Sequence, residues 1–409
     1  MNKVQVGIIG AGPAGLTLAL LLHRAGISCC VLENRTKQYV VSRVRAGLLE
    51  QNTVDLFNEL GVGERMNREG QAHHGVYLAF NSVKTHLNFD EHTNGRHITI
   101  YGQQEIVKDM IEACEKRGID IRFECAAKHI EGIETDAPNI VYHELGATNP
   151  KSETQNPKYT EGVVEKVINC DFVAACDGFH GIGRKHLPKD SYNEYRIEYP
   201  FSWLGILAYA APASDELIYA YHKDGFALLS MRSPEVSRLY LQVSNDDDIK
   251  NWSDERIWDE LEVRLNDNAG FKINRGEIFE KGITPMRSFM IDNMQHGRML
   301  LAGDAAHIVP PTGGKGLNLA VADIRFMSKA LIKALQTGED DLIKTYTQDC
   351  LRRVWRAQDF SNFMTTLFHK MDAHGSFTNQ LQKAKFDYIR TSKAYACTIA
   401  ENYVGLKDI

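Results

Sequence analysis

The chain lacks most of the features that mark membrane, nucleic-acid, metal or secreted proteins. Its longest apolar runs, such as LTLALLLHRAG, are broken by charge well short of the about 18 residues that a spanning helix needs. No basic stretch leading to a small-residue cleavage site opens it, so the expected location is the cytoplasm, with no membrane contact. No block of Lys or Arg forms a stripe suited to nucleic acid, and the net charge of −6 disfavours such a partner. The eight cysteines, at positions 29, 30, 114, 125, 170, 176, 350 and 397, contain no CxxC pair and suit a reducing compartment. Among fifteen histidines there is no HExxH and no Cys/His cluster with zinc spacing, so no metal is expected. Internal repeats are also absent.

What is present is globular in character. With 409 residues, 43% hydrophobic and 24% charged, the chain can bury more than one core, and two or three packed domains are expected. Its most legible stretch is KVQVGIIGAGPAGLTLALLLHRAGISCCVLE, which reads strand, turn, amphipathic helix, strand. Within it Gly10 permits the tight turn, Gly12 allows close approach of a pyrophosphate, and Gly15 lets helix pack on strand, with Ala14 between them. Phosphate would sit on the helix N-terminus. Glu33, at the end of the second strand, is placed to accept ribose hydroxyls.

An NAD dehydrogenase would continue with parallel βαβ units. Here hairpins and an antiparallel sheet follow instead, and acids stand at the ends of two later strands, Asp177-Gly178 and Gly303-Asp304. That pattern favours FAD. The fold expected is α/β: a Rossmann-type FAD-binding domain of the glutathione-reductase kind, an antiparallel-sheet substrate domain and a C-terminal helical segment. Residues 1–180 form the first, with about 73–98 packing on the second; 181–295 form the second; 296–409 carry the Gly-Asp element and the terminal helices. A polar tip at Asn149 to Lys158 reads as an exposed excursion.

In GFALLSMRSPEVSRLYLQV, period 2 puts Ser230 and Arg232 on one face, and Arg238 and Tyr240 on one face of the next strand. A five-residue connection makes a hairpin, so the four converge. Two guanidiniums with two hydroxyls suit a small carboxylate, although a solvated polar sheet face has the same alternation. In LAGDAAHIVPPTGGKGLNLA the apolar strand is expected to end on Asp304, and the prolines to leave the Pro311 carbonyl without a helical partner.

These segments, with VRAGLLEQ, YGQQE, CDGFHGIGR, YPFSWLG, ELIYA, MQHGR and TIAENYVGL, resemble the group A flavoprotein aromatic hydroxylases, in particular the branch acting on 4-hydroxybenzoate. The resemblance covers nearly the whole chain. It implies that NAD(P)H reduces FAD, that the reduced flavin activates O2, and that one oxygen atom enters a phenol ring while the other leaves as water. It implies that Ser230, Arg232 and Tyr240 hold the substrate carboxylate, and that Arg238 lies nearer the flavin. Tyr219, Tyr403 and His73 form a path that removes the phenol proton, and the Pro311 carbonyl accepts from the phenol. Flavin contacts fall on Gln103, Arg45, Asp177, Gly303, Asp304, Thr312, Gly314, Lys315, Gly316, Leu317 and Asn318. With no second dinucleotide fold, the nicotinamide coenzyme docks on the surface at Arg35, Tyr39, Arg43, Arg45 and His180. A homodimer built through the terminal helices is also implied.

Two departures stand out. Members strict for NADPH carry Arg directly after the ribose-binding Glu, whereas here Asn34 intervenes before Arg35, which predicts acceptance of NADH as well. Gly314 stands where Ala is usual, predicting a more flexible flavin loop. A hydroxylase of 3,4-dihydroxybenzoate or 3-hydroxybenzoate, and a flavin-binding partner module without oxygenase activity, stay open alternatives.

Overall fold

The computed structural model describes residues 3–43, 47–81, 83–144, 165–267, 269–371 and 375–405. Arg45 and the Asn149 to Lys158 tip lie outside the described residues.

The amino-terminal pattern folds locally, as its periodicity dictates. Val6–Ile9, the helix Pro13–Arg24 and Cys29–Leu32 form a βαβ unit, with Pro13 opening the helix where its missing N–H costs nothing. A six-stranded sheet grows around it in the order Gln295–His296, Met299–Leu301, Phe172–Ala175, Val6–Ile9, Cys29–Leu32, Asp120–Arg122. All its pairings are parallel except the outermost hairpin. Strands from positions 6, 29, 120, 172 and 299 therefore meet with their carboxyl ends on one side, which is where α/β sheets bind ligands. The helices Gln103–Lys116 and Gly316–Thr337 pack against Pro13–Arg24, and a large apolar core lies among them.

A second sheet has eight strands, in the order His307–Ile308, Glu277–Ile291, Glu194–Tyr209, Val236–Val243, Ala227–Ser233, Ile218–Tyr221, Gly75–Phe80, Val83–Asn88. It is antiparallel apart from the pairing of Ile218–Tyr221 with Gly75–Phe80. Alternation along these strands gives it two apolar faces. Leu204, Ile206, Leu239 and Leu241 pack under the helix Asp254–Leu265. Phe201, Trp203, Tyr219, Phe226 and Leu228 face the C-terminal helices. Those helices are Asp341–Phe368, Gly375–Thr391 and Lys393–Val404. Among the described residues, no helix is long and apolar enough to cross a membrane.

Two expectations about strand ends are corrected. The strand at 299 stops at Leu301, and Asp304 lies in a 3-10 turn, Gly303–Ala305. A positive φ at Gly303 (63°) breaks the strand there. The hairpin is tighter than five residues: the strands run to Ser233 and from Val236, leaving only Pro234 and Glu235 between them.

Candidate active site

The glycine loop is shaped for close approach from outside. A Cβ on Gly10 would lie 2.4 Å from the Cys176 carbonyl oxygen, and one on Gly15 would lie 2.0 Å from that of Gly10. Gly12, in contrast, faces open space. Glu33 closes the loop from behind: one carboxylate oxygen accepts from the Ala11 N–H at 2.9 Å, the other from Arg35 N–H at 2.9 Å. Burial raises its pKa against the pull of these donors. The Asp177 carboxylate accepts from Ile182 N–H (2.6 Å) and Gly183 N–H (2.8 Å) through one oxygen, while the other is buried without a partner. A buried acceptor lacking a donor fits a ligand hydroxyl. Together the loop, Glu33 and Asp177 fit a dinucleotide such as FAD. Gln103, half-buried, opens the helix Gln103–Lys116.

The loop from 303 to 318 faces the same strand ends. Its 3-10 turn is pinned by Asp323, whose carboxylate accepts from Gly303 N–H (2.9 Å) and pairs with His307 Nε2 (2.6 Å). Asp323 and His307 were missed in the sequence: one lies in the helix Gly316–Thr337 and the other in the short strand His307–Ile308, and no periodicity links them. Pro311–Gly313 forms a second 3-10 turn that ends on Gly314 in the left-handed region. The Pro311 carbonyl is therefore not partnerless as expected: it accepts from Gly314 N–H at 3.0 Å, and only its second lone pair remains for a phenol. Gly316 faces open space at the start of the long helix, with half-buried Leu317 beside it. The side chains of Lys315 and Asn318 turn inward instead. Lys315 Nζ donates to Glu50 (2.8 Å) and the Tyr403 carbonyl (2.8 Å). Asn318 bonds the Leu48 carbonyl and the Glu50 N–H, at 2.9 and 2.8 Å. Any contact these two make with a ligand at the loop must be through backbone.

Glu50 also pairs with half-buried Arg353 at 2.5 Å, completing a triad that the sequence did not suggest. Burial alone would raise the Glu50 carboxyl, but Lys315 and Arg353 hold it below the usual range. Burial draws the Lys315 ammonium down against the pull of Glu50, and the nearby Arg353 and Arg356 charges add to the fall.

On the eight-stranded sheet the predicted convergence occurs. Ser230 stands opposite Arg238, and Tyr219, Leu228 and Tyr240 form one cross-strand row. Two strand spacings, about 10 Å, separate the backbones of Tyr219 and Tyr240. Ser230 Oγ donates to the Arg238 carbonyl (3.0 Å), and Arg238 Nε donates to Tyr240 Oη (2.7 Å). A register shift between Met231 and Ser233 re-aims Arg232, whose Nη1 donates to the Met231 carbonyl at 3.0 Å. Arg232 Nε and Arg238 Nη1 are buried and have no partner. Burial draws the Arg232 guanidinium down to about 10. Two such cations, with no acid among their hydrogen-bond partners in the described residues, suit an anion.

Along the same face, Tyr219 and Tyr403 hydroxyls meet at 2.5 Å, both fully buried. Burial raises both phenols, so neither ionises near neutrality and the pair can only pass a proton along. His73 is also buried, and burial lowers its pKa to about 4. Neither of its ring nitrogens has a partner among the described residues. No direct hydrogen bond joins it to Tyr403. His74, by contrast, is exposed and paired with Asp90 at 2.8 Å.

Of the residues expected at the coenzyme surface, Arg35 stacks over the exposed Tyr39 ring at 5.1 Å, and Arg43 and His180 are exposed.

The family model for the FAD binding domain matches residues 3–361. The chain is 42% identical to p-hydroxybenzoate hydroxylase of Acinetobacter baylyi, over 99% of this chain and 96% of the relative. It is 24% identical to a flavin-dependent monooxygenase of Mycobacteroides abscessus, over 90% of this chain and 74% of that one. Among solved structures, p-nitrophenol 4-monooxygenase from Pseudomonas putida superposes with a TM-score of 0.81 at 17% identity, covering 100% of both chains, a likeness of fold.

Proposed function

The chain belongs to the group A FAD-dependent monooxygenases and is an aromatic hydroxylase; within that family we propose that it hydroxylates 4-hydroxybenzoate beside the phenol oxygen, giving 3,4-dihydroxybenzoate, with NADH or NADPH as reductant. The observation that carries this reading is the pair of buried, unpartnered guanidinium N–H groups on Arg232 and Arg238, on the sheet face that also presents Tyr219. A carboxylate at one end and a phenol at the other would satisfy both ends of that face. The 42% identity to a relative with that activity supports the same substrate.

When bound, FAD takes hydride equivalents from the coenzyme and activates O2 for transfer of one oxygen atom. The chain's own residues do the rest. Arg232, with Ser230 and Tyr240 beside it, binds and orients the carboxylate, and Arg238 holds Tyr240 in place. The phenol hydroxyl meets Tyr219, and Tyr403 takes the next place in the chain. A phenol titrates near pH 10, and ionising it raises electron density at the ortho carbon. Moving that proton through two hydroxyls toward His73 lets the ring be activated away from water. The Gly10 loop, Glu33, Asp177, Asp304, Thr312 and the backbone of 314–318 hold the cofactor. Arg35, Tyr39, Arg43, Arg45 and His180 receive the coenzyme transiently, and a homodimer is the assembly.

The test is aerobic oxidation of NADH and of NADPH with 4-hydroxybenzoate, 3-hydroxybenzoate or 3,4-dihydroxybenzoate, with products identified. Near-stoichiometric 3,4-dihydroxybenzoate from 4-hydroxybenzoate alone supports the proposal. Faster turnover and coupling with either other acid would refute it.

A further inference from the structure

Trp203 lies on the substrate-facing side of the sheet, its ring 4.6 Å from that of Tyr240. Its indole N–H donates to His369 Nε2 at 2.6 Å, and His369 Nδ1 meets the Thr365 carbonyl at 2.8 Å. The partners dictate the ring's state. An indole N–H can only donate and a carbonyl can only accept, so Nδ1 carries the proton and Nε2 offers its lone pair. Both nitrogens are thereby used, and a second proton would displace Trp203. His369 is completely buried, stacked at 4.3 Å on Phe201 and on Phe226. Burial holds its pKa near about 3, consistent with a neutral ring.

The same unit reaches the loop at 311–314. Thr365 Oγ1 contacts the Ser361 carbonyl (2.7 Å) and Thr312 Oγ1 (2.9 Å). The Thr365 hydroxyl is the donor in both contacts, its one proton shared between the Ser361 carbonyl and the Thr312 oxygen. A continuous chain thus runs from Tyr240 through Trp203, His369 and Thr365 to Thr312. It joins the antiparallel sheet, the end of the helix Asp341–Phe368 and the Pro311–Gly313 turn.

We propose that His369 is a positioning residue for hydroxylation: its neutral imidazole, fixed between Trp203 and the Thr365 carbonyl, sets the spacing between the carboxylate receptor and the Pro311–Gly313 turn. This rests on the reading above, in which the turn meets the flavin ring and the receptor holds the substrate. Oxygen transfer is sensitive to that spacing, since a displacement of about 1 Å can cost roughly a hundredfold in rate. In that reading His369 acts through Trp203 and Thr365, the two residues its ring nitrogens bond.

The experiment compares wild-type holoenzyme with Trp203→Phe, His369→Leu and His369→Gln. Each is measured for FAD content, for the dissociation constant of 4-hydroxybenzoate from the flavin absorbance change, for anaerobic flavin reduction, and for product per NAD(P)H oxidised. Trp203→Phe and His369→Leu should retain FAD and bind 4-hydroxybenzoate within about threefold of wild type, with an altered shape of the flavin difference spectrum. Their product yield should fall by roughly tenfold, the missing equivalents appearing as peroxide. Gln offers an amide oxygen near the place of Nε2, so His369→Gln should recover most of the coupling. Wild-type coupling in both Trp203→Phe and His369→Leu would overturn the proposal. So would a loss that tracks FAD content or substrate affinity and is equal in the Gln and Leu variants. Failure of the substrate reading is seen separately, as wild-type NAD(P)H oxidation that is indifferent to 4-hydroxybenzoate.

Discussion

Two of the charge clusters among the described residues make a pair of opposites, one complete and one open. At Glu50, a carboxylate is matched by Lys315 and Arg353, and the Lys315 ammonium also reaches the Tyr403 carbonyl. At Arg232 and Arg238, two guanidiniums lie on the sheet with no acid among their hydrogen-bond partners, and each keeps a buried N–H unpaired. The cost of burying charge is offset internally in the first and left standing in the second. A completed cluster holds structure together, whereas an open one suits a ligand that carries the missing charge.

The largest expected effect comes from opening the closed cluster. Glu50→Ala should destabilise the fold by about 3–5 kcal/mol, because buried Lys315 and half-buried Arg353 lose their counter-charge. Chemical denaturation with the wild type alongside measures it; a loss under 1 kcal/mol would show that the triad is dispensable. The pH dependence follows with a definite sign. Because the folded Glu50 carboxyl lies below its unfolded value of about 4.3, its stabilisation is present above that pH and is lost as pH falls through the lower, folded value. A Glu50→Gln variant should therefore lose its stability deficit relative to wild type on acidification.

Next in size is the proton path beside the open cluster. Tyr219→Phe should keep substrate-dependent flavin reduction but form product roughly a hundredfold more slowly, releasing peroxide instead. Normal coupling would break the link between that phenol pair and ring activation. Arg232→Met should behave opposite to Glu50→Ala: substrate binding weakens by about 1.5–3 kcal/mol, while stability without substrate is unchanged or higher. A clear loss of stability would place Arg232 with the structural charges. The smallest effect belongs to Gly314→Ala. At φ 64° with a Cβ 2.8 Å from Leu48, it should cost roughly 1–2 kcal/mol in thermal unfolding.

How well each region could be read from sequence follows from distance along the chain. Gly10, Gly12 and Gly15 sit in one turn, and their spacing states the backbone geometry directly. Ser230, Arg238 and Tyr240 are neighbours in one hairpin with Arg232 at its bulge, so period-2 alternation marks all four. The closed triad joins residues 265 and 303 positions apart, and Trp203 meets His369 across 166. No periodicity marks such pairs. The Pro311 carbonyl was misjudged for a local reason: the prolines exclude an α-helix but not the 3-10 turn that Gly314 closes. Gly314 was expected to loosen the loop; what the structure adds is its left-handed φ, the conformation that glycine adopts most easily, at the end of that turn.

The most direct test of the open cluster is a titration of the oxidised holoenzyme with 4-hydroxybenzoate and with its uncharged analogue 4-hydroxybenzamide, in wild type and Arg232→Met. The account predicts that wild type prefers the carboxylate by at least about tenfold and that the substitution erases the preference. Equal affinity for both ligands in the wild type, or an undiminished preference in the variant, would contradict it.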